Sequence, residues 1–128
     1  MLFAQRAAYD ALAARLALLD LELLLGVPKA VQRLPGSFLV SAQITGPPRT
    51  FAFAGLRPVL TLVVVANQDV SAAEHQIIDL VDLVANDLHG ADLDSVCKCS
   101  VEGIAYGWRD YGGVEYRIAD IQLVLANV

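Results

Sequence analysis

Two runs rich in β-branched and aromatic residues, Ser95 to Arg109 and Val114 to Ala126, flank the tetrapeptide Asp110-Tyr111-Gly112-Gly113. Adjacent glycines supply the positive φ that a tight hairpin turn requires, so the two runs are expected to pair as one long antiparallel hairpin. A hairpin alone is marginal in water, and an open strand edge invites further pairing. The rest of the chain must therefore supply more strands and a layer to cover one sheet face. Gly103 and Gly107 interrupt the first run and are expected to mark bulges or bends.

The covering layer is legible upstream. Ser71-Ala-Ala-Glu74 reads as a capping box, in which Ser71 caps a helix start and Glu74 reaches back. The helix is expected to run to Leu88 with Ala73, Ile77, Val81, Val84 and Leu88 along one face, and to stop at His89-Gly90. Its opposite face carries His75, Asp79, Asp82 and Asn86. An opening helix is expected over roughly Phe3 to Leu25, striped by Leu2, Tyr9, Leu12, Leu16, Leu19 and Leu23 and widened by Ala8, Ala11 and Leu18. Gly26 and Pro28 end it, and Asp20-Leu21-Glu22 is the alternative, earlier break. Ser37–Thr45 reads as a strand, and Gly46-Pro47-Pro48-Arg49 as a breaker. The stretch from there to Leu56 reads as a loop carrying Phe51 and Phe53. Pro58 opens a nearly all-apolar strand, Val59–Ala66, expected to be central and covered on both faces.

The order is helix, strand, strand, helix, strand, strand. The expected fold is one α+β domain over residues 1–128, a mostly antiparallel sheet of about four strands with two helices packed on one face. No repeat, low-complexity tract or linker divides the chain.

Composition limits what such a domain does. Hydrophobic residues make up 56% of the 128 and charged residues 18%, more apolar than an ordinary soluble domain. A membrane span does not account for the excess. Arg6, Asp10, Arg15, Asp20 and Glu22 break the N-terminal apolar stretch, which also disqualifies it as a signal peptide, so synthesis in the cytoplasm is expected. The net charge of −5 argues against tight nucleic-acid binding. Residues 1–68 carry three acids and six bases, whereas 69–128 carry eleven acids and three bases. The halves are thus +3 and −8, which suits either complementary neighbouring faces or a solvated acidic half.

The sequence offers little chemistry. Cys97 and Cys99 are too few for a structural zinc site and read as reduced, core-filling thiols. The His75/Asp79/Asp82 stripe reads as a solvated helix face. There is no Gly-x-Ser-x-Gly elbow and no glycine-rich phosphate loop. Cys/His pairing and the acids Asp92 and Asp94 form no recognisable catalytic set. No catalytic, cofactor-binding or metal-ligating residue is expected, and no cofactor. The aromatic cluster Tyr106, Trp108, Tyr111 and Tyr116 near the hairpin tip suits either an interface anchor or cross-strand packing.

These stretches, taken in order, resemble the tail terminator (minor tail, or tail-completion) proteins of long-tailed bacteriophages. The resemblance rests on the Ala/Leu-rich opening Ala8-Tyr9-Asp10-Ala11-Leu12-Ala13-Ala14-Arg15-Leu16 and the Pro/Gly-broken segment around Val27–Gly36. It continues through the strand Leu60-Thr61-Leu62-Val63-Val64-Val65, the helix after Ser71 and a closing hairpin ending in Ile121-Gln122-Leu123-Val124-Leu125. It covers nearly the whole chain and lies in topology rather than in signature residues. It implies a structural virion protein without enzyme activity, forming a hexameric ring at the head-proximal end of the tail tube. Such a ring stops tube polymerisation and joins tail to head, and its partners are copies of itself, the tail tube protein and a head-completion or neck protein. DNA passes through its channel without specific binding, and no membrane is involved. Other neck proteins, adaptor or stopper, are the near alternative, and a small α+β enzyme or ligand-binding domain the distant one.

Two contact patches follow as expectations. One is the segment Gly46–Arg57 with Arg49, Phe51, Phe53 and Arg57; the other is the hairpin tip with Trp108, Arg109 and Tyr111.

Overall fold

The computed structural model describes residues 5–31, 34–45, 55–66, 70–94 and 96–127. The elements are α1 (Gln5–Ala17), β1 (Leu23–Leu25), β2 (Gly36–Thr45), β3 (Gly55–Ala66), α2 (Val70–Leu88), β4 (Asp92–Leu93), β5 (Cys97–Tyr111) and β6 (Val114–Asn127). They form an α+β fold with one six-stranded mixed sheet in the order β1-β2-β3-β6-β5-β4. The four long strands are antiparallel to their long neighbours, as expected. The sheet is larger than the expected four strands because two short strands extend it. β1 runs parallel to β2, and β4 pairs with Cys97 and Lys98 of β5.

The extra parallel strand arises where the opening helix stops early. α1 ends at Ala17 rather than near Leu25. The Leu21 N–H then bonds to the Leu16 carbonyl and the Asp20 N–H to the Ala17 carbonyl, with Asp20 in the left-handed region at φ 61°. That is a Schellman-type stop with an aspartate in the place glycine usually takes. The chain turns there, and Leu23–Leu25, the end of the expected helix, join the sheet instead. Leu18 falls in this turn and is exposed rather than part of the buried stripe.

Both helices cover the same sheet face. Ala8, Leu12 and Leu16 of α1 and Ile77, Val81, Val84 and Leu88 of α2 share one core cluster with Leu60 and Leu62 of β3 and with Ile121, Leu123 and Leu125 of β6. The α2 stripe lies as its spacing predicts, and His75, Asp79, Asp82 and Asn86 are exposed on the opposite side. The helix begins one residue before the expected cap and ends as expected, with Gly90 at φ 78°. Arg15 joins the helices by donating from Nε to Asp87 at 2.8 Å.

β3 is central, but its two faces differ. On the helix side Leu56, Leu60, Leu62 and Val64 are all buried. The other face is closed mainly at one end, where Val63 packs with Phe38, Tyr111, Tyr116 and Ile118 under Val31. β3 also starts earlier than expected, so Pro58 lies within it, opposite the irregularity between Ser41 and Gln43 of β2. Bulges and irregular positions are where a strand tolerates a residue without an N–H donor.

β5 and β6 form the expected hairpin, closed by the two-residue turn Gly112-Gly113 with φ 64° and 85°. Gly103 sits at the expected bulge, where the register shifts between Val101 and Gly103. Gly107 does not mark one: it pairs regularly with Ile118.

Cys97 and Cys99 are fully buried and free. Burial pushes the Cys97 thiol up to about 11 from an ordinary 9.0, with Asp92 adding to the shift. Burial likewise pushes Cys99 to about 12, with Cys97 adding to it. In the unfolded chain both thiols ionise near their ordinary value, while in the fold they stay neutral. Their contribution to stability is therefore fully present below pH ~9 and is lost as pH rises towards ~12. The expected result with a thiol-reactive disulfide reagent at pH 8 is no labelling of the folded protein and two thiols per chain in denaturant. Rapid native labelling of either cysteine would contradict the packing described.

Candidate interaction surface

The hairpin tip carries polar work on both sheet faces. On the face without helices, the Thr61 hydroxyl donates to Asp120 Oδ1 at 2.6 Å. These residues are direct cross-strand partners, and Thr61 is buried. Arg109 reaches the same carboxylate, donating from Nη2 to Oδ2 at 2.8 Å and from Nη1 to the Tyr111 hydroxyl at 3.4 Å. The hydrogen bond to Asp120, then that to Tyr111, raises the Arg109 pKa further above its ordinary value. Further along this face Arg57 donates to Glu102 across the strands. The turn itself is tied by the Gly113 N–H bonding to Asp110 Oδ1 at 2.9 Å.

On the helix side, Arg117 is the organising residue. Its Nη2 pairs with Glu74 Oε1 of α2 at 2.6 Å. Its guanidinium lies 5.4 Å from the Trp108 ring centroid and 5.9 Å from that of Tyr106. These cation–π contacts tie both rings to Arg117, which is itself tied to α2 through Glu74. Tyr106 remains 46% exposed and Ile104 39% exposed. Large exposed apolar and aromatic groups beside a held arginine have the composition of binding hot spots.

Of the expected contact residues, Arg49, Phe51 and Phe53 lie outside the described residues. Arg57 is half-buried and engaged by Glu102. Arg109 is exposed and held by Asp120. Trp108 is half-buried under Arg117. Tyr111 is a core residue: it is only 6% exposed and meets Phe38 edge-on with ring centroids 5.6 Å apart. Its ring lies in the cluster with Phe38 and Tyr116, so Tyr111 contributes to the tip by packing. The structure thus groups Arg109 with Tyr111, and places Trp108 on the opposite face with Tyr106.

Sequence reasoning missed Asp120, Thr61, Glu74, Glu102 and Arg117 as parts of these networks. Once the turn is set at Gly112-Gly113, hairpin register alone puts Arg109, Tyr111 and Asp120 on one face. The Thr61 and Glu74 partners depend on long-range packing that no local pattern encodes.

A cleft of about 510 Å³ lies between residues 28–30 and β1–β2, lined in part by Glu22, Lys29, Ser37 and Phe38. The Ser37 hydroxyl is spent on the Glu22 carbonyl at 2.9 Å, so it serves the parallel junction of β1 and β2. Among the described residues no group of three or more His, Cys, Asp or Glu side chains is placed to hold a metal, and no helix is long and apolar enough to cross a membrane. No family model matches the chain, and no curated protein matches it.

Proposed function

We propose that the chain is a tail terminator: a structural virion protein that caps the head-proximal end of a phage tail tube as a ring of six copies. On this reading it halts tube polymerisation, joins the tail to a head-completion protein and performs no catalysis. The observation that carries the reading is the element order. α1, β2, β3, α2, β5 and β6 follow one another in the sequence on which the resemblance to that family rests, with both helices on one sheet face. The charge distribution is a second support. Exposed acids on α2 and the hairpin, Asp79, Asp82 and Asp110, present negative surface. Negative surface repels phosphates, which suits a channel that DNA must traverse without sticking.

Deleting the gene from the phage that encodes it tests this reading. The expected particles carry tails of uncontrolled, excessive length. Tails of normal length on heads that leak DNA would assign the chain to a stopper role instead and overturn the terminator reading.

A further inference from the structure

The sheet has a long outer strand whose edge is closed along only part of its length. β4 pairs with Cys97 and Lys98 at the start of β5. The next groups are closed by the segment leaving α2: the Gly90 N–H bonds to the Cys99 carbonyl, and the Cys99 N–H to the Ala91 carbonyl, each at 2.8 Å. His89 then caps the Val101 N–H through Nδ1 at 3.0 Å. The bulge at Val101/Gly103 follows. Beyond it, from Ile104 to Asp110, the outer backbone edge of β5 has no partner among the described residues, although β6 holds its inner edge throughout.

Natural edges are blunted by lysine, proline, bulges or cover. Here the bulge and His89 protect the first part, and Ile104–Asp110 contains neither lysine nor proline. The stretch Ile104–Trp108 carries no charged side chain, and of the charges beside it Arg109 is neutralised by Asp120 and Glu102 by Arg57. A strand docking here therefore needs no charge of its own. It needs apolar groups on the helix side, against Ile104, Tyr106 and Trp108, and little bulk on the other side, against Ala105 and Gly107. The free segment itself meets that description. Turned antiparallel about a two-fold axis through Tyr106, a second copy places Trp108 opposite Ile104, Tyr106 opposite Tyr106, and Gly107 opposite Ala105. The side-chain sense is kept on both faces, and aromatic cross-strand pairs stabilise such a ladder.

We propose that the outer edge of β5, Ile104–Trp108, pairs with the same segment of a second copy, joining two sheets into one continuous sheet in the free protein. The contact is isologous, so neighbours point in opposite directions. A ring whose subunits all face one way cannot contain it. The pairing thus describes the protein before any assembly and does not depend on the tail reading.

The test is the mass of the purified chain by light scattering at ~50 µM, above the micromolar range of weak specific pairs. The expected mass is twice 13.7 kDa. Ile104→Lys places a lysine from each copy beside the axis and is expected to raise the dissociation constant at least tenfold, with the thermal melt showing that the chain still folds. Tyr106→Cys is expected to form an interchain disulfide on mild oxidation, while Asp82→Cys on the exposed face of α2 does not. A monomer at this concentration, a dimer that Ile104→Lys leaves unchanged, or equal cross-linking at both positions would overturn the proposal.

Discussion

Replacing Ile121 by alanine is expected to cost about 3–4 kcal/mol of folding free energy, among the larger losses a single truncation causes. Ile121 is fully buried in the middle of β6, beneath the helices. Its strand is held on both sides, with Leu60 of β3 and Ile104 of β5 as direct register partners. A sheet position between two paired strands has little freedom to close a cavity, so the missing methyl groups leave a void rather than a relaxed core. Against a total stability of about 5–15 kcal/mol, this loss is visible as a large drop in the urea midpoint. A loss under about 1 kcal/mol would mean that β6 does not sit at the centre of the core.

The second large effect is expected at the hairpin turn. Gly112 has φ 64°, and a Cβ there would lie 3.0 Å from the Lys29 carbonyl oxygen and 3.2 Å from the Ala30 Cβ. Gly112→Val combines a β-branched residue in the left-handed region with a clash against backbone, and about 3 kcal/mol of destabilisation is expected. Gly113 provides the contrast. Its φ is 85°, but nothing lies within 4 Å of the Cβ position. Gly113→Ala is expected to cost only about 1 kcal/mol. Thermal melts of Gly112→Ala and Gly113→Ala compare strain plus collision with strain alone, and the first is expected to lose more. Equal losses would mean that residues 29 and 30 do not rest on the turn.

The contrast between these glycines also shows what was legible in advance. The positive φ at both followed from the paired glycines of the tetrapeptide between two strand-like runs. The collision at Gly112 did not, because it depends on a loop that returns from the far side of the sheet. The same division runs through the fold. The α2 stripe and the order of the four long strands were legible because helical and strand periodicities are local. β1 was not, since Leu23 continues the helix stripe, and only the left-handed Asp20 turn detaches it. Gly107 resembled Gly103 in sequence, yet only Gly103 falls where the ladder slips.

The candidate surface divides in the same way. Trp108 and Arg109 stood out as a large aromatic and a charge near a turn. Tyr111 stood out for the same reason and proved to be core, because its side chain falls on the face that Phe38 and Tyr116 share. The ion pairs Arg117–Glu74 and Arg57–Glu102 join residues 43 to 45 positions apart in sequence. Their pairing is set by how α2 and β3 lie against the hairpin. The closed start of the β5 edge was equally hidden, since His89 looked suited to the helix end and instead spends Nδ1 on the neighbouring strand.

The central claim is that this α+β chain caps a tail tube. Its most direct test is electron microscopy of growing tail tubes mixed with the purified chain. The account predicts one ring of added density at the head-proximal end of each tube and no growth beyond it. Tubes that continue to lengthen with bare ends, at a protein concentration exceeding that of the tubes, would contradict it.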